Sequence, residues 1–347
     1  MALQKKTKKR LIIGVLLLLL LVAGTTTALF VRNQLTQPFQ LSETAYIYID
    51  EQKDFEKIVN QLNQLGMPSE KIFRQLSERM KYIPQIKTGR YAIKDGMNTI
   101  DVVRILRAGQ QDPVRLTFNN IRLRENLAGR LSSQLMLDST ALLNRLNDQS
   151  LIDSLGFNAD NFSVMFIPNT YEVWWDTSVE SLIHRMKREY NTFWNENRLT
   201  KANALNLSPV EVSILASIVE EEATYADEYS TVAGLYLNRL QRGMRLEADP
   251  TVKYAVGDFS LRRILFRHLE VESPYNTYKV EGLPPGPIRI PSISAIDAVL
   301  SPRDHNYLFM CAKDDLSGRH NFAVTHAEHA RNARRYQQAL NNLKIYK

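Results

Sequence analysis

Residues 208–250 read SPVEVSILASIVEEEATYADEYSTVAGLYLNRLQRGMRLEADP. The stretch begins as helices do: Ser208 can cap, Pro209 suits the first helical position, and Glu211 completes a capping box. The apolar residues that follow have helical spacing and, at about 100° per residue, point to one side; they are Val212, Ile214, Leu215, Ile218 and Val219. The sequence therefore predicts a one-sided helix that ends in three glutamates.

The three glutamates are not equivalent on this helix. Glu222 comes four residues after Ile218 and continues the apolar stripe, whereas Glu220 points nearly opposite and Glu221 falls on the flank. We therefore expect Glu222 to face the interior and the other two to face water. A carboxylate on an apolar face is costly unless it is paired, protonated or functional. Glu222 is the first candidate site residue, and an ion pair with an arginine such as Arg239 is the structural alternative.

Composition narrows the class of protein. The chain has 347 residues, 44% of them hydrophobic and 23% charged, as in an ordinary globular protein with room for two domains. Five of the seven excess positive charges lie in the first ten residues, which leaves +2 for the remainder. A basic binding face is not indicated, so we expect no nucleic-acid partner. Cys311 is the only cysteine, which excludes an intramolecular disulfide.

The N-terminal segment predicts a membrane anchor. Leu11–Phe30 carries no charge and is about as long as the 20 residues that cross a hydrocarbon core. A cleaved signal peptide is the alternative, but its apolar core is shorter, about 7–15 residues, and no clean small-x-small site follows Leu21. The basic start should stay cytoplasmic. We expect a cell inner membrane protein, single-pass, with its other domains periplasmic: tail 1–10, transmembrane helix 11–31 and stalk 32–44.

The chain beyond the stalk predicts an α+β fold. Ala45–Ile93 has the pattern of a strand, two helices and a second strand, and a helix and a third strand follow it. The remainder, from residue 116 to 347, is helix-rich with a few short strands. We expect Asp249, Pro250 and Thr251 to form a loop, and the proline-rich Gly282–Pro287 to form another.

An aromatic-rich stretch, FIPNTYEVWW, ends at Trp175. Its aromatic residues Tyr171, Trp174 and Trp175 could stack on sugar faces in a groove. Core packing is the other interpretation, since aromatic side chains supply much of the buried area of ordinary cores.

The motifs exclude several kinds of chemistry. The sequence has no P-loop, GxGxxG, GxSxG or HExxH motif, and its C-terminal histidines (His320, His326 and His329) have no cysteine partner, so we expect no metal and no cofactor. Acid–base chemistry by a carboxyl group remains. A partly buried glutamic acid has a raised pKa and can protonate the leaving oxygen of a glycosidic bond. Asp249 is the candidate for the second carboxylate that most glycosidases use.

The C-terminal part closely resembles the endolytic murein transglycosylase (YceG-like) family. The resemblance lies in a series of spaced motifs: LASIVEEE (215–222), AGLYLNRL (233–240), GMRLEADPTVKY (243–254), YNTY (275–278) and GLPPGPI (282–288). FIPNTY (166–171) resembles the family's FPDTY, with Asn169 where Asp is common. The strand–helix–helix–strand segment followed by KTGRYAIKDGMNTIDVVRIL (87–106) looks like the family's LysM-like module, which suggests domains 45–115 and 116–347.

The resemblance implies a lytic transglycosylase that cuts the β-1,4 bond between N-acetylmuramic acid and N-acetylglucosamine in nascent peptidoglycan strands. The muramyl C6 hydroxyl closes on C1 and leaves a 1,6-anhydro end, so no second carboxylate is needed. The second Glu of the family's VExE motif is catalytic, and it corresponds to Glu222; the family often has Lys where this chain has Glu221. Peptidoglycan synthases are the protein partners that such a role suggests.

The resemblance also implies substrate-binding roles in the matching motifs, each with loop stabilisation as the alternative. These residues are Asn238, Asp249, Thr251, Tyr275, Asn276, Thr277 and Asn321. Two other functions stay open: a membrane-anchored peptidoglycan-binding scaffold without catalysis, and a hydrolytic muramidase.

Overall fold

A computed structural model describes residues 2–119, 121–261 and 263–343. The chain forms two compact units. The first takes in the chain up to Arg115 together with Glu172–Asp176, and the second takes in Leu116–Tyr171 and the chain from Thr177 onward. The mixture of many helices with three two-stranded sheets confirms the predicted helix-rich α+β class.

The chain starts with a long helix, α1 (Ala2–Thr36). Its segment Ile13–Asn33 has a mean hydropathy of 2.4 and an exposed apolar surface, and it is the one straight helix among the described residues that is long and apolar enough to cross a membrane. This agrees with a single N-terminal anchor. The helix continues through Thr36, so the first part of the expected stalk is helical.

The first unit has the predicted strand–helix–helix–strand order. Its two strands pair antiparallel, with Ile47 opposite Tyr91, and a further helix follows them. Side-chain caps at Asp54, Ser69 and Asn98 begin the three helices. The elements are β1 (Ala45–Ile49), α2 (Phe55–Gln64), α3 (Glu70–Arg79), β2 (Gly89–Ile93) and α4 (Thr99–Ala108).

The helices of the first unit cover one face of its small sheet. Ile47 and Ile49 alternate with the more exposed Tyr46 and Tyr48 along β1, so one face of the strand enters the core. The core residues packed against that face come from all three helices and include Ile58, Leu62, Phe73, Val102 and Leu106.

A second two-stranded sheet consists of β3 (Val114–Thr117) and β4 (Thr170–Val173), and the boundary between the two units falls within both strands. The aromatic side chains around β4 divide between core and surface. Tyr171 is buried and stacks on Phe118, as core packing predicts. Trp175 meets Tyr48 edge-on at 5.0 Å between ring centroids, and Trp174 is 52% exposed.

The described part of the second unit contains eleven α-helices and one further two-stranded sheet. Before the central helix come α5 (Arg124–Ser132), α6 (Ser139–Leu146), α7 (Gln149–Ser154), α8 (Val179–Phe193) and α9 (Glu196–Ala204). The rest are α10 (Pro209–Glu222), α11 (Tyr229–Gln241), α12 (Asp249–Val256), α13 (Phe266–Leu269), α14 (Ile293–Val299), β5 (Phe309–Ala312), β6 (His320–Ala323) and α15 (His326–Asn342).

Helix α10 is the central element of this unit. The predicted capping box is present: the Glu211 amide donates to the Ser208 hydroxyl, and the Ser208 amide donates to the Glu211 carboxylate at 2.8 Å. The prediction of a one-sided helix is wrong, because every residue of Val212–Val219 is buried. Helices α9, α11, α12 and α14 pack around it. A helix enclosed on all sides needs no polar face.

Two loop predictions have different outcomes. The prediction of a loop at Asp249, Pro250 and Thr251 is wrong, because these residues form the first turn of α12, where proline is tolerated. The proline-rich segment at 282–287 is a loop, as expected. Its Gly286 lies so close to the Asp160 carbonyl that an added Cβ would be 2.0 Å from that oxygen.

Candidate active site

Glu222 is the last residue of α10, and its half-buried side chain meets the next helix. The hydroxyl of Tyr236, on α11, donates a hydrogen bond to Oε1 of Glu222 at 2.9 Å. Tyr236 is itself only 2% exposed, so the bond lies at the edge of the core. The tyrosine holds one carboxyl oxygen in a fixed position.

The surroundings of Glu222 favour its protonated form. Burial raises the pKa of Glu222 to about 8, and the nearby carboxylates of Asp249 and Glu221 act in the same direction. The hydrogen bond from Tyr236 opposes this rise because it stabilises the carboxylate. At neutral pH the side chain therefore holds a proton that it can donate.

The other two glutamates do not face water, so that prediction is wrong. Arg122 and Arg289 donate to Oε1 of Glu221 at 2.6 and 2.8 Å. Glu220 accepts a hydrogen bond from the Ser292 amide at 2.8 Å and lies 3.7 Å from the Arg289 guanidinium. The side chains of Glu220 and Glu221 are only 12% and 16% exposed. Because α10 is enclosed, even the flanks of its last turn meet protein, and arginines compensate the charges.

Arg239 does not pair with Glu222, so the structural alternative for Glu222 is wrong. The Arg239 guanidinium binds Glu247 and donates to the carbonyls of Arg245 and Leu308, both at 2.8 Å. Among the described residues Glu222 forms no ion pair, so no cation compensates the effect of burial on its carboxyl group.

Asp249 is the second carboxylate near Glu222. It begins α12, is exposed, and accepts a hydrogen bond from the Tyr278 hydroxyl at 2.7 Å. Burial and this bond raise the pKa of Tyr278. Each carboxyl group of the site thus has its own tyrosine donor.

Two cavities of the second unit meet at these carboxyl groups, since both are lined by Glu222 and Asp249. The strand-side cavity has a volume of about 520 Å³ and extends along β5, past Phe309, to His320. The helix-side cavity has a volume of about 540 Å³ and extends past Lys253 to Tyr336 of α15. Together they form a cleft with Glu222 at its middle, which suits an extended polymer better than a small ligand.

Three predicted substrate-binding residues are fully buried and bonded within the protein. The hydroxyls of Thr251 and Thr277 lie 2.8 Å apart, and the Thr277 hydroxyl accepts from the Ala248 amide. Asn276 donates to the carbonyls of Leu269 and Val271 at 2.8 and 2.9 Å. These bonds fix the start of α12 and the loop after α13, which is the loop-stabilising alternative.

Three other predicted substrate-binding residues, Asn238, Tyr275 and Asn321, are half-buried. Asn238 donates to the carbonyls of His305 and Tyr307 at 2.8 and 3.2 Å, and Asn321 donates to Asp314 at 3.1 Å. Tyr275 lies against Tyr254, with ring centroids 4.8 Å apart. Of the predicted set, Asp249 alone lines the cleft beside Glu222. Substrate contact stays a prediction for all seven residues of the set.

The sequence interpretation missed several residues of the cleft. Tyr236 belongs to an apolar stripe on α11, and its spacing places it towards the core without indicating that its hydroxyl would reach Glu222. His320 lines the strand-side cavity, where its amide and Nδ1 both lie 3.1 Å from the carboxylate of buried Glu228. This pair joins residues 92 positions apart, a relationship that no local pattern encodes. Within the described ranges, no three potential ligands come together as a metal site.

These features define an α+β protein whose cleft is centred on one protonated glutamic acid, a class to which enzymes that cut glycosidic bonds also belong. The model of the YceG-like family matches residues 47–335, and the chain belongs to this family.

Relatives with known names agree with that membership. An endolytic murein transglycosylase of Bacillus subtilis is 29% identical over 289 residues, which cover 79% of each chain. A protein of the same name from Streptococcus pneumoniae is 26% identical over 82% of this chain, and the match spans 57% of that longer protein. The 2.6 Å crystal structure of a YceG-like protein from Listeria monocytogenes has 27% identity and a TM-score of 0.55, covering 83% of this chain and 99% of that one.

Proposed function

We propose that this protein is an endolytic murein transglycosylase, a lyase that acts on peptidoglycan, with Glu222 as its catalytic acid. The observation that carries the proposal is the position of Glu222, which lines both cavities and accepts a hydrogen bond from Tyr236. Burial at this position raises the pKa of Glu222 to about 8. Relatives named endolytic murein transglycosylases cover most of the chain and support the same reaction.

The proposed reaction cleaves the β-1,4 bond between N-acetylmuramic acid and N-acetylglucosamine inside a strand. Glu222 gives its proton to the glycosidic oxygen as the bond from C1 breaks. The ionised Glu222 then takes the proton of the muramyl C6 hydroxyl as that oxygen bonds to C1. The products are a free N-acetylglucosamine hydroxyl and a 1,6-anhydro end, and Glu222 is protonated again. Tyr236 stabilises the carboxylate that exists between the two proton transfers.

The location of the enzyme follows from its N-terminal helix in this proposal. Helix α1 anchors the protein in the inner membrane with its basic start in the cytoplasm, and the catalytic unit lies on the periplasmic side. The strand–helix–helix–strand part of the first unit acts as a LysM-like module that holds glycan. The enzyme works on nascent strands beside peptidoglycan synthases and ends their elongation.

A hydrolytic muramidase is the second candidate, and one observation favours it. Asp249 lines both cavities with Glu222 and is exposed, so it could position a water for attack on C1. In a hydrolase the new muramyl end gains a water, whereas the transglycosylase product does not.

The test is digestion of purified uncrosslinked glycan strands by the full-length protein in detergent, with mass spectrometry of the new ends. We expect ends lighter by one water than the hydrolytic product. Water-containing ends would establish the muramidase instead. The Glu222→Gln variant should remain folded at the assay pH and lose at least about 100-fold in rate, as removal of a general acid does. Strand binding without any cleavage by the unaltered protein would identify a scaffold.

A further inference from the structure

The two cavities that meet at Glu222 differ in charge. In the strand-side cavity the Arg239 guanidinium is paired with Glu247, and the His320 ring is hydrogen-bonded to Glu228. The helix-side cavity is lined by Lys253 and Arg263, neither of which forms an ion pair with any residue that the structure describes. One side of the cleft therefore has two cations whose charges remain available to a ligand.

The carboxylates of the helix-side cavity do not neutralise the positive charges of Lys253 and Arg263. Glu221 is compensated by Arg122 and Arg289. Asp258, outside the cavity, interacts electrostatically with Lys253 without forming an ion pair with it, and its carboxylate accepts hydrogen bonds from Ser260 at 2.6 and 2.9 Å. Asp249 adds one negative charge, and the balance of the cavity beside a protonated Glu222 remains positive.

The two cations are supported differently. Lys253 lies on α12, four residues after Asp249 and hence on the same face of a short, fixed helix. Arg263 belongs to the segment between α12 and α13 and is exposed. Lys253 can bind an anionic group at a fixed distance from the reacting bond. The planar guanidinium of Arg263 can then donate two parallel hydrogen bonds to the same group if it is a carboxylate.

We propose that Lys253 and Arg263 form a subsite for a carboxylate carried by the glycan strand, namely the stem-peptide substituent of a muramyl residue. This proposal rests on the proposed function and deepens it. The helix-side cavity then binds the part of the strand whose muramyl residue carries the stem peptide. The strand-side cavity binds a part of the strand that makes no contact through a peptide carboxylate. The charge difference fixes the direction in which a strand lies across Glu222, and it makes peptide-bearing strands better ligands than neutral ones.

The test compares native glycan strands with strands whose carboxyl groups have been amidated by carbodiimide coupling to methylamine. Calorimetric titration uses the full-length Glu222→Gln protein in detergent, so that binding is measured without cleavage. We expect about tenfold weaker binding of the amidated strands, equivalent to about 1.4 kcal/mol. The Lys253→Met/Arg263→Met double variant should bind both kinds of strand equally weakly. Arg267→Met is the matched control, since Arg267 is exposed, lies four residues after Arg263 in the sequence and does not line the cavity.

Kinetics provide a second readout in the protein that retains Glu222. The double variant should raise KM for native strands about tenfold and leave kcat within about twofold, because the subsite lies away from the reacting bond. Equal binding of native and amidated strands by the protein with both cations would overturn the proposal, as would a loss in kcat with KM unchanged. Absence of cleavage by the unaltered protein rejects the proposed function, whereas the binding comparison still decides whether the carboxylate subsite exists.

Discussion

The Tyr236 hydroxyl and the Glu222 carboxyl lie 2.9 Å apart on neighbouring helices, joined by the single side-chain hydrogen bond that Glu222 makes among the described residues. A donor stabilises the ionised form of a carboxyl group and so lowers its pKa. The bond therefore limits how far burial can raise the pKa of Glu222, and it positions the oxygen that must exchange protons with a substrate.

Replacement of Tyr236 by Phe should raise the pKa of Glu222 above its present value of about 8. The alkaline limb of the pH–rate profile reports deprotonation of a catalytic acid, so this limb should move to higher pH by about one unit, which corresponds to about 1.4 kcal/mol. Tyr225→Phe is the matched control, because Tyr225 donates to the Ser317 carbonyl away from Glu222. A limb that stays in place or moves towards acid would contradict the assigned role of the bond.

The pKa of Glu222 also predicts how stability depends on pH. The carboxyl has a folded-state pKa of about 8 against a reference value of 4.5. Below 4.5 both the folded and the unfolded states keep the proton. Between these values the unfolded chain releases it and the folded protein does not, so the free energy of unfolding should fall by up to about 1.4 kcal/mol per pH unit. Above about 8 the decrease ends.

Glu222→Gln should remove this dependence and therefore be the more stable protein at pH 8, with a difference that shrinks towards pH 4.5. Urea unfolding of both proteins across that range measures the difference. Glu172→Gln, which makes the same chemical change at an exposed carboxyl, is the control. A constant gap between Glu222→Gln and the unaltered protein would mean that the glutamate is not protonated in the folded state.

The sequence predicted Glu222 correctly as the interior glutamate but misassigned its neighbours, and the reason is physical. Helical spacing gives directions around one helix and contains no information on what surrounds it. The capping box and the apolar run specify α10, whereas burial of Glu220 and Glu221 depends on Arg289, far along the chain. The prediction for Glu222 succeeded because the apolar side of a helix is buried whatever packs on its other sides.

The substrate-binding assignments, which stay predictions, came from motif resemblance and not from helical spacing. Motif resemblance selected Thr251, Asn276 and Thr277, and the structure shows all three holding backbone together. A motif marks residues that a fold needs at fixed spacing, but spacing does not distinguish a buried hydrogen-bonding role from contact with a ligand. Tyr236 and His320 became apparent only from tertiary contacts between separate helices and strands.

Arg289 should be important for stability because it serves two carboxylates that are largely removed from water. Replacement by Met leaves Glu220 without its cation and Glu221 with Arg122 alone, and breaking a buried pair typically costs about 3–5 kcal/mol. We expect a loss near the lower figure, because Arg122 remains. Thermal unfolding measures it.

Arg198→Met is the matched control for Arg289→Met. Arg198 also binds a carboxylate, Asp297, but that carboxylate is 49% exposed, so the loss should stay within about 1 kcal/mol. Equal losses of unfolding free energy in the two variants would mean that removing an arginine from a buried carboxylate costs no more than removing one from an exposed carboxylate.

Gly286 shows why the proline-rich loop requires a glycine at this position. An added Cβ would lie 2.0 Å from the Asp160 carbonyl oxygen and 2.7 Å from the Tyr275 hydroxyl, and the backbone oxygen cannot move aside as a flexible side chain can. Gly286→Ala should therefore displace the loop and destabilise the protein by about 1–3 kcal/mol, the usual cost of overpacking. It should also lower activity, because Tyr275 belongs to the same contact.

Gly129→Ala tests the same chemical change in open space. Gly129 lies within α5, and its added Cβ would meet nothing within 4 Å. Alanine is the better helix former by about 1 kcal/mol, so this variant should gain stability while Gly286→Ala loses it. Thermal unfolding of the two variants side by side measures opposite shifts in Tm. A neutral Gly286→Ala would show that the loop can withdraw from Asp160 at no cost, and close contact would then not explain the glycine.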